Sequence, residues 1–312
     1  MNATDKVVTH DLSDVCAQVR TDAAAFVAAQ EEAYERQIEQ TAATLASAQG
    51  CQIVWQCGAS SVGKTTTAKR LSAALEARGV RSFVVSLDDF YRGREQAPLL
   101  PDGTYDYESP EALDLARLQV CIEGLLRDGE AWLPQYDFTA GRPADTKTYL
   151  RIAENTVVIF EGIHAFTPAV TATAAAATTP PVRLLINTRS RCTDGEEILL
   201  SRREIRLSRR LLRDERTRDS GFERTMRMWQ QVLRGDAVYI DPYTHDADLH
   251  IDTTLGYEPC VLREPMLRRL PALYGTAFED TAKHLEAVYE RFVPLATQYV
   301  PQESVLREFI GR

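Results

Sequence analysis

Eight consecutive residues carry the densest chemical signal in this sequence: Gly58, Ala59, Ser60, Ser61, Val62, Gly63, Lys64 and Thr65. Glycine, four residues, then Gly-Lys-Thr is the spacing of a phosphate-binding loop. The glycines let the backbone wrap a polyphosphate so that successive N–H groups point inward. Lys64 reaches the outer phosphates, and the Thr65 hydroxyl can ligate Mg²⁺. Thr66 continues the loop into what reads as a helix, whose N-terminus adds partial positive charge. The ligand implied is a nucleotide polyphosphate with Mg²⁺. A plain Gly/Ser turn is the bland alternative, and the flanking pattern argues against it.

Three further groups could act on a phosphate held there. Asp88 and Asp89 follow an apolar run, in the sequence SLDDFY. Ligands of parallel α/β sheets gather at the carboxyl ends of strands, and a carboxylate there can accept a hydroxyl proton. Otherwise the pair is an acidic turn. Glu161 ends the apolar run TVVIFE, an arrangement that lifts one acid toward Mg²⁺. Residues 202–218 hold eight arginines against three acids. Arg206, Arg210 and Arg213 share one helical face, and Arg209, Arg213 and Arg216 another. A basic helix near a phosphate loop can supply arginines to a transferring phosphoryl group; a solvated basic face is the alternative.

The elements that must position these groups follow from periodicity. Residues 52–57, 80–87, 156–162, 182–187 and 247–252 read as strands, being short, apolar and β-branched. Residues 66–78 and 111–126 read as helices. Val15, Val19, Phe26, Val27, Tyr34, Ile38 and Leu45 recur at helical spacing in residues 11–48, as do Leu285, Val288, Phe292 and Leu295 near the other end. Residues 93–110 read as a polar loop facing a substrate, and residues 132–142 (WLPQYDFTAGR) as a second wall. Residues 170–181 (VTATAAAATTPP) are low in complexity and predict a surface linker, disordered or variably helical. His164 is expected to pack rather than to react.

Composition limits the partners. The 312 residues carry a net charge of −9, which argues against general nucleic-acid binding. There is no apolar run of membrane-spanning length and no apolar signal core, so a cytoplasmic protein is expected. The six scattered cysteines form no CxxC pair, which argues for reduced thiols over metal or redox use.

Taken together, GASSVGKTT, SLDDFY, YDYES, YDF, EGIH and the terminal LREFIG resemble the uridine kinase/phosphoribulokinase family of P-loop kinases, and within it a bacterial uridine kinase-like branch. The resemblance covers residues 50–255 and the terminal run. It implies an α/β P-loop NTPase of the adenylate kinase-like three-layer fold, with a parallel five-stranded sheet. It also implies an arginine-rich lid at about 200–222, within a core of 49–258. Residues 1–48 and 259–312 would be added helical segments. By the same resemblance Asp88 is the catalytic base, with Lys64 and Arg213 stabilising the transferred group. Gly58 to Thr66, Arg213 and Arg218 hold ATP; Thr65 and Glu161 serve Mg²⁺; Asp106 holds ribose or sugar hydroxyls. Tyr91, Tyr136 and Arg210 line the acceptor site with Asp88.

The sequence departs from uridine kinases where those contact the base. Gly141 stands near where they carry a histidine, and Ser220 and Met228 where they carry an arginine and a glutamine. The implied activity is ATP-dependent phosphorylation of a hydroxyl, the 5′-OH of a nucleoside first. A sugar, polyol or sugar phosphate is the other small-molecule acceptor, and a non-catalytic ATP-binding regulator the reading of another class. A homo-oligomer is compatible with the terminal helices.

Overall fold

The computed structural model describes residues 7–47 and 51–311. In chain order, β1 (Thr9–Asp11) leads into α1 (Leu12–Ala46), β2 (Gln52–Cys57), α2 (Lys64–Ala77) and β3 (Arg81–Ser86). Then come α3 (Leu115–Asp128), the hairpin of β4 (Glu130–Asp137) and β5 (Arg142–Arg151), β6 (Thr156–Glu161), the short α4 (Pro168–Thr171) and β7 (Val182–Asn187). The chain continues through β8 (Arg191–Asp194), β9 (Glu197–Leu200), α5 (Arg202–Arg218), α6 (Phe222–Gly235) and β10 (Leu249–Asp252). It closes with α7 (Glu258–Arg269), α8 (Glu279–Arg291) and α9 (Arg307–Ile310).

Five strands form one all-parallel sheet in the order β10-β7-β2-β6-β3. Its central strands are apolar on both faces, as a sheet covered twice requires. Val54, Val157, Ile159, Leu184 and Ile186 enter one core, with α1, α2, α5, α7 and α8. Ile53, Trp55, Val158, Phe160 and Leu185 enter the other, with α3 and α4. The result is an α/β three-layer arrangement with the parallel five-stranded sheet that the sequence implies.

The terminal helices share the first of these cores. In α1, Tyr34 is buried and shares a 2.7 Å hydrogen bond with Thr67 of α2. Gln37 exchanges bonds with the backbone of Asp252 in β10. The helix kinks at Asp22, where φ is −157° and the carboxylate accepts from the Ala25 amide. Leu285, Val288, Phe292 and Leu295 are all buried in that core. Residues 1–6 and 48, included in the expected N-terminal segment, lie outside the described residues. Among the described residues no helix is long and apolar enough to cross a membrane, and all six cysteines are free.

Two local expectations are corrected, and a third stretch takes a form the sequence did not display. Residues 170–181 are not simply a surface linker. Val170, Thr173 and Ala174 are buried, and Pro180 O accepts from Gln52 Nε2 at 2.9 Å. Alanine runs carry little pattern, yet small side chains fit close against α3. The helix expected from 111 begins at Leu115, because Pro110 opens a separate turn and Asp114 caps the Arg117 amide. Residues 132–142 belong to a hairpin, and β5 is mostly exposed and polar, so its strand carries no apolar alternation.

Candidate active site

The loop between β2 and α2 is built for close approach. A Cβ on Gly58 would lie 2.2 Å from Ile186 O, so only glycine lets the loop leave the sheet there. Ser61 and Gly63 both take left-handed conformations, with φ of 65° and 83°. Gln56 Nε2 donates to Lys64 O, and Thr253 Oγ1 donates to Val62 O at 2.7 Å, so the loop is tied to the sheet from both sides. A Cβ on Gly63 would meet Val305 Cγ2 at 2.4 Å in a backbone region side chains avoid. Gly63→Ala is therefore expected to cost about 2 kcal/mol of stability and to weaken ATP binding at least tenfold, as thermal melting and calorimetric titration would read. Unchanged binding would remove Gly63 from the loop's function.

At the start of α2 two hydroxyls converge on one carboxylate. Thr65 Oγ1 donates to Glu161 Oε1 at 3.1 Å, and Ser86 Oγ donates to the same oxygen at 3.3 Å. Two hard oxygen donors from α2 and β6 thus meet at the carboxyl edge of the sheet. That donor set fits Mg²⁺, which uses one or two protein oxygens beside water and phosphate. Among the described residues no group of three His, Cys, Asp or Glu side chains could hold a metal by itself.

Asp88 follows β3 in a tight turn over Leu87–Phe90, its amide held by Ser86 Oγ at 3.3 Å. Its carboxyl is pushed up to about 6, first by burial and then by Glu161, against the pull of Lys64 and Arg218. Those same causes place it among the loop lysine, the β6 acid and the end of α5. The neighbouring acid does something else: Asp89 accepts from the Tyr136 amide at 3.1 Å and anchors the hairpin. The hairpin thereby brings Tyr136 to Tyr91, with ring centroids 5.9 Å apart. Phe138 meets Tyr136 edge-to-face, with centroids 5.0 Å apart.

Asp106 is buried, and its oxygens are engaged by Tyr239 at 3.0 Å, Arg234 at 3.4 Å and the Glu108 amide at 3.2 Å. Glu108 lies in the loop read as facing a substrate but was given no role of its own by the sequence. Burial pushes its carboxyl up to about 7, aided by Asp236 and Asp88 and opposed by Arg210 and Lys64. Its side chain packs against Gly235, where any Cβ would lie 2.7 Å from Glu108 Cβ. His164 is buried as expected, with Tyr91 OH 3.4 Å from Nε2, and desolvation lowers its pKa to about 3.

Helix α5 is no solvated basic face. Arg206 donates to Ser60 O at 3.0 Å and pairs with Asp236 at 2.8 Å. Arg210 donates to Ser60 Oγ of the phosphate loop at 2.7 Å. Arg213 is held by Asp214 at 2.8 Å, and Arg218, half exposed, lies 3.6 Å from the same acid. Arg209 turns the other way. It is fully buried and grips Glu258 with two bonds of 2.5 and 2.7 Å. Arg216 reaches Glu308 O at 2.6 Å. Helical spacing alone did not separate these roles. Ser220, aligned with a base-contacting position of uridine kinases, is buried beside Thr225, and Met228 is exposed.

Residues 53–175 match the sequence model of the Phosphoribulokinase / Uridine kinase family. Over this stretch the chain is similar to that family. The uridine kinase-like protein 4 of Arabidopsis thaliana is 29% identical over 172 residues, covering 54% of this chain and 32% of that protein. A uridine kinase of Deinococcus deserti is 32% identical over 114 residues, covering 36% of this chain and 53% of that one. The uridine kinase of Saccharomyces cerevisiae is 25% identical over 194 residues, or 61% and 34% of the two chains. The chain therefore spans about half or less of the length of these relatives. The phosphoribulokinase/uridine kinase match includes the loop, Asp88, Asp106, Tyr136 and Glu161, while the arginines of α5 and the terminal run lie beyond it.

Proposed function

We propose that this protein is an ATP-dependent kinase that moves the γ-phosphoryl group to a hydroxyl, and that its acceptor is the 5′-OH of a nucleoside. The observation that carries the reading is the placement of Asp88. Its carboxylate makes no hydrogen bond to another group among the described residues, and it sits within electrostatic reach of Lys64 and Glu161. In-line transfer needs an ionised acceptor of protons on one side of the phosphorus and fixed positive charge around it. Asp88 takes the hydroxyl proton. Lys64, with Arg210, Arg213 and Arg218, offsets charge on the phosphoryl oxygens; Gly58 to Thr66 bind the phosphate chain. Thr65 and Glu161 would hold Mg²⁺, which supplies further charge neutralisation when bound. A cavity of about 870 Å³ beside Ala59 and Val62, lined also by Asn187, Arg189 and Arg206, has room for the rest of the nucleotide.

On the acceptor side, Tyr91, Tyr136 and Phe138 offer flat apolar faces, and Asp88, Asp106 and Glu108 are all acids. This balance favours an uncharged polyhydroxyl acceptor with a ring over a phosphorylated one. Arg94, which could have received an acceptor phosphate, instead donates to Phe138 O at 2.7 Å and packs on Gly141. An unphosphorylated sugar or polyol remains the second reading, supported by the absence of a histidine near Gly141.

A panel of nucleosides, sugars, polyols and sugar phosphates with Mg-ATP, scored by ADP release, tests the proposal. Turnover with a nucleoside is expected. Turnover only with sugars would replace the acceptor; ATP binding with no ADP on any acceptor would turn the protein into a nucleotide-responsive regulator. The pH dependence has a definite sign. Asp88 must be ionised to act, so kcat/KM is expected to rise with pH through about 6 and flatten above. A profile flat from pH 5 to 8 would count against a base of this kind.

A further inference from the structure

The terminal run is joined to the nucleotide loop more intimately than packing requires. Val305, Leu306 and Phe309 are buried in the main core, and Val305 lies directly over Gly63. Between them, on α9, Glu308 turns its carboxylate toward the start of α2. Oε2 accepts from Thr66 Oγ1 at 3.0 Å, and Oε1 lies 3.8 Å from Arg213 Nη1. Its backbone is pinned independently, by Arg216 donating to Glu308 O at 2.6 Å. The side chain is partly accessible.

Thr66 and Arg213 are two of the groups that the proposed function assigns to ATP phosphates. A carboxylate and a phosphate oxygen seek the same donors, and two anions cannot share them without cost. We propose that the Glu308 carboxylate occupies a phosphate position of the nucleotide site, so that a polyphosphate binds by displacing it. The terminal run thereby sets the affinity of the loop. Displacement requires only rotation of the Glu308 side chain. The Arg216 bond and the Phe309 anchor hold the backbone of α9 in place, so the helix need not leave the core. The inference rests on the nucleotide reading of the loop and is independent of the acceptor.

The test is equilibrium binding of ATP and of inorganic tripolyphosphate to the wild type, Glu308→Ala and Glu308→Gln, with thermal melting as the folding control. Both variants are expected to bind both probes about tenfold more tightly, from lost repulsion and freed donors. The gap should narrow as salt is raised. Glu308→Gln retains an acceptor for Thr66 without the charge, so it carries the test if the alanine variant melts early. Equal or weaker binding by the variants, with the wild type still binding ATP, would overturn the displacement and make Glu308 a positioning residue for Arg213. Failure of wild type and variants alike to bind either probe would overturn the nucleotide reading itself, and this inference with it.

Discussion

Asp88→Asn is expected to lower kcat by about 10²–10⁴ while leaving ATP affinity within about twofold, and to raise thermal stability. The three outcomes come from one cause. The carboxyl is pushed up to about 6 from an ordinary 3.8, so the native state holds its proton more tightly than the unfolded chain does. Stability is therefore lost as pH rises from the unfolded value through about 6, and stays lost at neutral pH. Asparagine has the same shape and no charge to bury, and should return on the order of 2 kcal/mol at pH 7.5. For a chain of this size that is a rise of about 3–5 °C in Tm, vanishing near pH 4. Single-turnover kinetics, ATP titration and melting at two pH values check it together. A variant that melts lower and loses ATP binding in proportion would show Asp88 to be structural. The alternative result, full turnover, would remove it from the chemistry.

The second large effect falls on an arginine with no expected part in chemistry. Arg209→Met should destabilise the protein by about 3–5 kcal/mol, because it strands Glu258 in the core and takes donors from Thr253 O and Thr253 Oγ1. Removing both charges in Arg209→Met/Glu258→Leu should recover most of the loss, since burying a charge pair brings little net stability over apolar packing. Melting of the two single variants and the double variant measures this directly. ATP binding by whatever remains folded should persist, somewhat weakened, because Thr253 also holds Val62 O of the loop. Unchanged Tm with lost ATP binding would move Arg209 from the core into the site. Beside Arg210, which touches Ser60, the comparison separates adjacent residues of one helix by role.

Much of the candidate site's layout is local, and local order is what a sequence displays. The loop glycines, Lys64, Thr65 and Thr66 lie together because one strand turns into one helix. Asp88 and Glu161 end strands that both run parallel to β2, so their apolar stretches were enough to aim them at the same edge. The strands of the main sheet were legible for the same reason: burial on both faces leaves unbroken apolar runs. The hairpin was not, since β5 is exposed and its residues obey no burial pattern. Residues 170–181 misled because alanine and threonine carry no sign of whether a neighbour covers them.

What the sequence displayed by itself was the phosphate-binding loop, because the loop needs only its own glycines and the helix that follows to gather phosphate-binding groups. The tertiary structure alone decided what each charge meets. Whether an arginine of α5 meets Glu258 or Ser60 depends on elements dozens of residues away, as does the meeting of Glu308 with Thr66 across 242 positions. Helical spacing sets the direction in which a side chain leaves its helix, but only packing sets what it finds there.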